Sequence, residues 1–282
     1  MTFDQRVYAR PLVTEAVLSP AQKLAAQEPP AAAHLSEQER AAAELLIRHL
    51  FATSEHRIDG VEYHAAYALA EGAVGGDIVD VFHFDNGNVA LSIADISGKG
   101  AAAAVHAAVV KYGLRCYASE GLTAERVLRS LDRVYIENNA FERTESFASV
   151  FVGILDRDRR SLAYASAGHE PVMLCRPGAA LEVLHPTAPL IGVFDDQNHL
   201  FKQRHIEIEP GTILVLTTDG ATEARSPGGE LFGMERLAAA VSHAVRSATT
   251  MEYVVGAVMR EVERFCDGRL RDDIAVLAVR VF

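Results

Sequence analysis

The sequence predicts an α+β fold, with an antiparallel sheet core arranged as a layered sandwich. Three observations predict it. Strand-like and helix-like segments come in separate runs rather than in alternation, which argues against a βαβ plan. Asn86-Gly87 sits between two apolar segments, the signal of a tight antiparallel hairpin. Two helical segments in the middle of the chain each need a sheet face to cover them.

The elements follow in order. Residues 1–35 are rich in Ala, Pro and Gln and end in "AAQEPPAAAH", a composition expected of a flexible arm. "LSEQERAAAELLIRHLFA" at 35–52 reads as a helix. Ser36 with Glu39 fits a capping box, and Ala42, Leu45, Leu46, His49 and Leu50 recur at helical spacing. Residues 36–59 are thus a helix and its linker, ahead of a domain spanning 60–282. "VEYHAAYALA" at 61–70 reads as a strand, and "DIVDVFHF" and "VALSIAD" are the hairpin arms. Helices are expected near 100–118 and 123–139. A β block follows: "SFASVFVGILD", "SLAYASA", "PVMLCR", "FKQRHIEI" and "TILVLTTD". Helices return near 233–246 and 250–266, and "DIAVLAVRVF" closes the chain as a strand.

Composition bounds the function. The formal charge of −11 argues against a nucleic-acid binder, which needs a basic footprint. Cys116, Cys175 and Cys266 are widely spaced and form no metal-ligand pattern, as expected of reduced thiols in the cytoplasm. The start, "MTFDQRVYARPLV", lacks a signal-peptide core, and no run approaches the roughly 18 apolar residues of a membrane span.

The hairpin can be read to its register. A two-residue loop would pair Phe84 with Val89; a three-residue loop with a Gly87 bulge would pair Phe84 with Asn88. The second register gathers Val79, Val81, Leu91 and Ile93 on one face, whereas the first mixes polar and apolar residues on both. It also sets Asp80 opposite Ser92 and Asp77 opposite Asp95. Facing carboxylates repel unless a proton or a cation lies between them, and a cation is the expectation here. Asp219 directly follows an apolar strand, and Asp272 and Asp273 directly precede one. Four carboxylates from three separated segments, each at a sheet edge, can hold two divalent ions. An all-oxygen donor set suits Mg²⁺, Mn²⁺ or Ca²⁺. Two such ions about 3.5–4 Å apart would activate a water for in-line displacement at phosphorus.

"GGDIVD", "ADISGKG", "ASAGHEPVML", "APLIGVF", "LVLTTDGATEA", "LFGMERL" and "RDDIAVLAVRV" occur in that order. Together they resemble the SpoIIE/RsbU-type branch of the metal-dependent, protein phosphatase 2C-like (PPM) serine/threonine phosphatases, over about residues 60–282. The resemblance implies a four-layer α-β-β-α sandwich of two antiparallel sheets flanked by helices. It implies two Mn²⁺ or Mg²⁺ ions and hydrolysis of phosphoserine or phosphothreonine on a protein partner, such as an anti-sigma-factor antagonist. By motif, Asp77, Asp95, Asp219 and Asp272 take the metal positions, and the backbone carbonyl of Ile96 takes a further ligand position. In this branch, helices just before the catalytic domain regulate and dimerise, so 36–59 is expected either to form a homodimer or to dock on the catalytic domain and set its activity through the Asp77 hairpin. Two departures stand out. Ile78-Val79 replace the branch's aromatic pair, and "LFATSEHRIDG" replaces its usual Leu-Pro junction.

Plainer readings stand beside these. Asp77 and Asp95, taken singly, can be turn caps. Ser97-Gly98-Lys99-Gly100 has the look of a phosphate loop, but Ile93 stands where that motif needs its first Gly, and Gly100 where it needs Ser or Thr. Lys99, at a helix start, is a candidate contact for the substrate phosphate, or a solvated lysine. His169 is expected to fix a loop, Glu223 to stand behind the site or at the surface, and Asp80 to face away from it. Two other functions stay open: a non-catalytic partner-binding module, and a phosphatase of small phosphoesters.

Overall fold

Two layers of secondary structure would leave one face of each sheet exposed; this chain uses four, with an apolar layer at each of the three interfaces between them. The computed structural model describes residues 57–58, 60–68, 76–84, 86–98, 101–142, 145–194 and 200–282. The expected arm at 1–35, the helix at 36–52 and Lys99 lie outside the described residues.

The first sheet runs in the order β1 (Arg57–Ile58), β2 (Val61–Ala68), β11 (Ile274–Val281), β10 (Ile213–Thr217), β7 (Val172–Cys175), β8 (Glu182–Leu184). The second runs β3 (Ile78–His83), β4 (Val89–Ile96), β5 (Ala148–Leu155), β6 (Ser161–Ala167), β9 (Arg204–Glu207). Every neighbouring pair of strands is antiparallel. Helices α1 (Ala101–Ser119) and α2 (Ala124–Glu142) cover the second sheet, and α4 (Gly233–Arg246) and α5 (Met251–Phe265) cover the first. A four-residue helix, α3 (Asp219–Thr222), follows β10. This is the α-β-β-α plan that the resemblance implied. Among the described residues no helix is long and apolar enough to cross a membrane.

Side-chain alternation explains the layering. Val79, Val81, Leu91 and Ile93 point between the sheets, where they meet Leu214, Leu216, Leu277 and Val279. Ile78, Phe82 and Ala94 point the other way, against Val110, Leu114 and Leu131 of the helices. Burying each large aliphatic side chain contributes roughly 1.5–3 kcal/mol, so both faces of β3 and β4 drive assembly. The helices present matching stripes: Ala103, Ala107, Val110 and Leu114 on α1, and Met251, Val254, Val255, Val258 and Val262 on α5. Thr250 caps α5, its hydroxyl accepting from the Tyr253 N–H at 3.2 Å.

The hairpin takes the second register. His83 pairs with Val89, Asp80 with Ser92 and Ile78 with Ala94. Phe84 N–H donates to the Asn88 carbonyl at 2.9 Å, and Gly87 sits in the left-handed region at φ 86°. Asp80 shares its face with Ile78 and Phe82, so it enters the helix layer. There it accepts from Arg115 Nε at 2.5 Å and Nη2 at 2.7 Å. That bidentate pair compensates a carboxylate that is only 4% exposed, on the face away from Asp77.

The structure departs from the sequence expectations in small ways. β1, β8 and the short α3 were not expected, and the 201–208 strand contracts to β9.

Candidate metal centre

Four strand ends meet at one edge of the sandwich. Asp77 enters β3, Asp95 lies one residue from the end of β4, Asp219 follows β10, and Asp272 and Asp273 precede β11. The β3–β4 pairing, continued one step past Ile78 and Ala94, sets Asp77 across from Asp95. Asp77 and Asp95 therefore belong to one sheet, and Asp219 and Asp272 to the other.

The electrostatics are those of crowded like charges. Asp77 is 4% exposed, and burial first, then the Asp95 charge, raise its carboxyl well above the usual range. Asp95 is pushed up to about 7, by burial and then by Asp219 and Asp272, and it lies within hydrogen-bonding reach of Asp77. Asp219 is raised by burial, then by Asp272 and Glu223. Glu223, one residue past α3, is exposed at the surface and adds its charge to that on Asp219.

The donor set suits a hard divalent cation. Two glycines bring backbone carbonyls to the same edge. A Cβ on Gly76 would stand 2.4 Å from the Ile96 oxygen, and one on Gly220 would stand 2.0 Å from the Asp273 oxygen. Both are closer than real side chains allow, so the glycines of "GGD" and "DGA" are needed for close backbone approach. Among the described residues, no three His, Cys, Asp or Glu side chains already converge in ligand geometry. The fold gathers the carboxylates and couples them, but their oxygens are not closed on one point.

A cleft of about 250 Å³ opens beside Asp95 and Asp219, lined also by Ser97, Ser149 and Glu170. Two of the residues shaping this region escaped the sequence reading. Glu170 accepts from the Thr222 hydroxyl at 3.3 Å, and burial raises its carboxyl. Thr218 donates its hydroxyl to Asp77 Oδ2 at 2.7 Å. The only sequence signal for either was position: Glu170 follows His169 in "AGHEP", and Thr218 precedes Asp219 in "TTDG".

His169 is buried, and its Nδ1 lies 3.1 Å from the Glu170 carbonyl oxygen. A carbonyl only accepts, so Nδ1 carries the proton there. Burial lowers the imidazole to about 4, which leaves it neutral near pH 7. A loop-fixing role fits this chemistry better than proton transfer does.

Comparison with known proteins gives the family. The family described as Stage II sporulation protein E (SpoIIE) matches residues 85–282. Protein IcfG of Synechocystis sp. is 28% identical over 232 residues, covering 73% of this chain and 36% of IcfG. Phosphoserine phosphatase RsbU of Bacillus subtilis is 29% identical over 204 residues, covering 71% of this chain and 58% of RsbU. The chain thus spans between about a third and three fifths of these relatives. The solved RsbU and RsbW domains of Rv1364c from Mycobacterium tuberculosis superpose with a TM-score of 0.67 at 25% identity, over 79% of this chain and 60% of that one. The catalytic domain of the serine/threonine phosphatase PstP, solved with two manganese ions, shares the fold at a TM-score of 0.59 and 15% identity, over 78% and 98% of the two chains. With the family matched over residues 85–282 and the sandwich observed, the chain belongs to the SpoIIE family and has the fold of PP2C-like phosphatase structures.

Proposed function

We propose that this chain is a metal-dependent protein phosphatase. It hydrolyses phosphoserine or phosphothreonine on a signalling partner of the anti-sigma-factor-antagonist class. The observation that carries this reading is the cluster of Asp77, Asp95, Asp219 and Asp272, drawn from two sheets to one edge, where burial and neighbouring charge raise the carboxyls of Asp77, Asp95 and Asp219.

In this reading those four carboxylates, with the Ile96 carbonyl, hold two Mn²⁺ or Mg²⁺ ions. When bound, the ions supply Lewis-acid stabilisation of phosphoryl charge and acidify a water to near-neutral pKa. The chain's own residues do the rest. Gly76 and Gly220 let the backbone close on the site. The cleft beside Asp95 and Asp219 admits the phosphate, with Lys99 the proposed contact to its oxygens. The PstP structure with two manganese ions supports the ion count, and the phosphoserine phosphatase RsbU supports the substrate class.

The same reading places the chain in the cytoplasm, in keeping with three unpaired cysteines. Residues 36–59 are proposed as a regulatory and dimerising element. Their apolar stripe of Ala42, Leu45, Leu46 and Leu50 supports this.

Phosphate release separates this function from its rivals. The chain with Mn²⁺ is offered a phosphorylated anti-sigma-factor antagonist and, separately, p-nitrophenyl phosphate. The proposal expects a much higher kcat/KM on the protein. A preference for the small ester would make it a general phosphoesterase, and no release from either would make it a binding module.

A further inference from the structure

We infer that Thr218 is a positioning residue, which sets Asp77 of one sheet against the carboxylates of the other. This rests on the proposed metal reading of the site.

The need for such a residue follows from the layering. Asp77 and Asp95 come from the second sheet, Asp219 and Asp272 from the first. The sheets are joined by an apolar layer, and apolar contact is non-directional. A metal site needs its ligands held within about 0.5 Å. Something directional must cross the layer at this edge.

Thr218 has the required connections. It is fully buried at the end of β10. Its backbone N–H donates to the Ala275 carbonyl at 3.1 Å, and its Oγ1 accepts from the Ala275 N–H at 2.9 Å. Two bonds therefore lock it to β11, the strand that Asp272 and Asp273 lead into. A hydroxyl has one proton to give. With Ala275 N–H donating to the oxygen, that proton goes across the sheets to Asp77 Oδ2 at 2.7 Å. The polarity matters: the donor fixes Asp77 through Oδ2, so the carboxylate is oriented by a group built into the other sheet.

A second cross-sheet bond supports the same strand. β3 is the edge strand of its sheet, and its Val79 N–H donates to the Tyr67 hydroxyl of β2 at 2.9 Å. The start of β3 is thus held to the other sheet at residues 77 and 79. The Thr218 bond ends on a proposed ligand, and the Tyr67 bond on the backbone two residues later.

Valine has the shape of threonine without the hydroxyl. Thr218→Val leaves both Asp77 Oδ2 and the Ala275 N–H without their partner, whereas Thr218→Ser keeps both bonds. The test is calorimetric titration of Mn²⁺ into the metal-free chain, alongside turnover. Removing a partner that orients a metal ligand typically costs about 10–100-fold in affinity. We expect Thr218→Val to lose at least about tenfold and Thr218→Ser to stay within about threefold of wild type. If the valine variant does not fold, Thr218→Cys carries the test: its weak S–H donor should give a folded chain with Mn²⁺ affinity clearly below that of Thr218→Ser. Wild-type affinity in the folded valine or cysteine variant would overturn the inference. If Asp219→Asn still abolished binding, the metal site itself would stand. If the wild-type chain bound no Mn²⁺, the metal reading would fall and this inference with it.

Discussion

Thr218 and Asp77 share a hydrogen bond of 2.7 Å between the two sheets, at the most buried carboxylate of the site. The bond opposes, without cancelling, what burial and Asp95 do to Asp77. The bare site is therefore strained towards protonation, and its response to pH and substitution has a definite sign.

The first expectation concerns Asp95. Its carboxyl stands at about 7 in the fold against an ordinary 3.8. A raised carboxyl binds its proton more tightly in the folded chain. It favours folding fully below the unfolded value, and that contribution is lost as pH rises through about 7. In chelator, Asp95→Asn should therefore be more stable than wild type near pH 8. The difference should shrink to nothing near pH 4. Urea midpoints at several pH values check this; a constant difference would contradict it.

The second concerns the backbone at the site. Gly220→Ala would place a methyl group 2.0 Å from the Asp273 oxygen, on the backbone between Asp272 and β11. That oxygen cannot swing aside as a side-chain tip can. The strand entry must shift, at a cost of about 1–3 kcal/mol as for overpacking in general. Activity should fall by more than the loss of folded protein explains, because Asp219 and Asp272 flank the shift. Gly228→Ala, whose nearest neighbour is the Ser226 side chain at 3.6 Å, should leave both properties unchanged. Thermal midpoints and turnover of the two variants provide the check.

The third concerns His169, held near 4 against an ordinary 6.5. Here the folded chain binds the proton less tightly. Its contribution is present above about 6.5 and is lost as pH falls towards 4, by roughly 3 kcal/mol at most. This opposes the Asp95 effect over much of the same range. His169→Gln should lose less stability than wild type between those limits, whatever its stability at neutral pH. Parallel curves for the two chains would show that His169 does not titrate as described.

The register of the hairpin was legible because three local signals agreed. Asn86-Gly87 asks for a positive φ, the alternation of Val79, Val81, Leu91 and Ile93 picks one face, and a one-residue slip would destroy it. The gathering of Asp77 with Asp95 follows from that register. The approach of Asp219 and Asp272 does not, since it depends on how two sheets pack; here the resemblance to a family supplied what spacing could not. Glu170 and Thr218 were missed for the same reason. A threonine before an aspartate has no local signature, and its bond to Asp77 spans 141 positions of sequence. β8 was missed because "EVL" is too short to show a period. Asp80 was readable as facing away from the site, but its partner Arg115, on α1, was not.

If the four aspartates act together through bound divalent ions, catalysis must depend on the metal and on each carboxylate. The decisive measurement is phosphate release from a phosphoserine protein across a Mn²⁺ titration, for wild type and Asp219→Asn. The expected result is no release in excess chelator, saturable activation of wild type by Mn²⁺, and turnover in the variant lower by orders of magnitude although the chain stays folded. Full release in chelator, or wild-type turnover by Asp219→Asn, would contradict it.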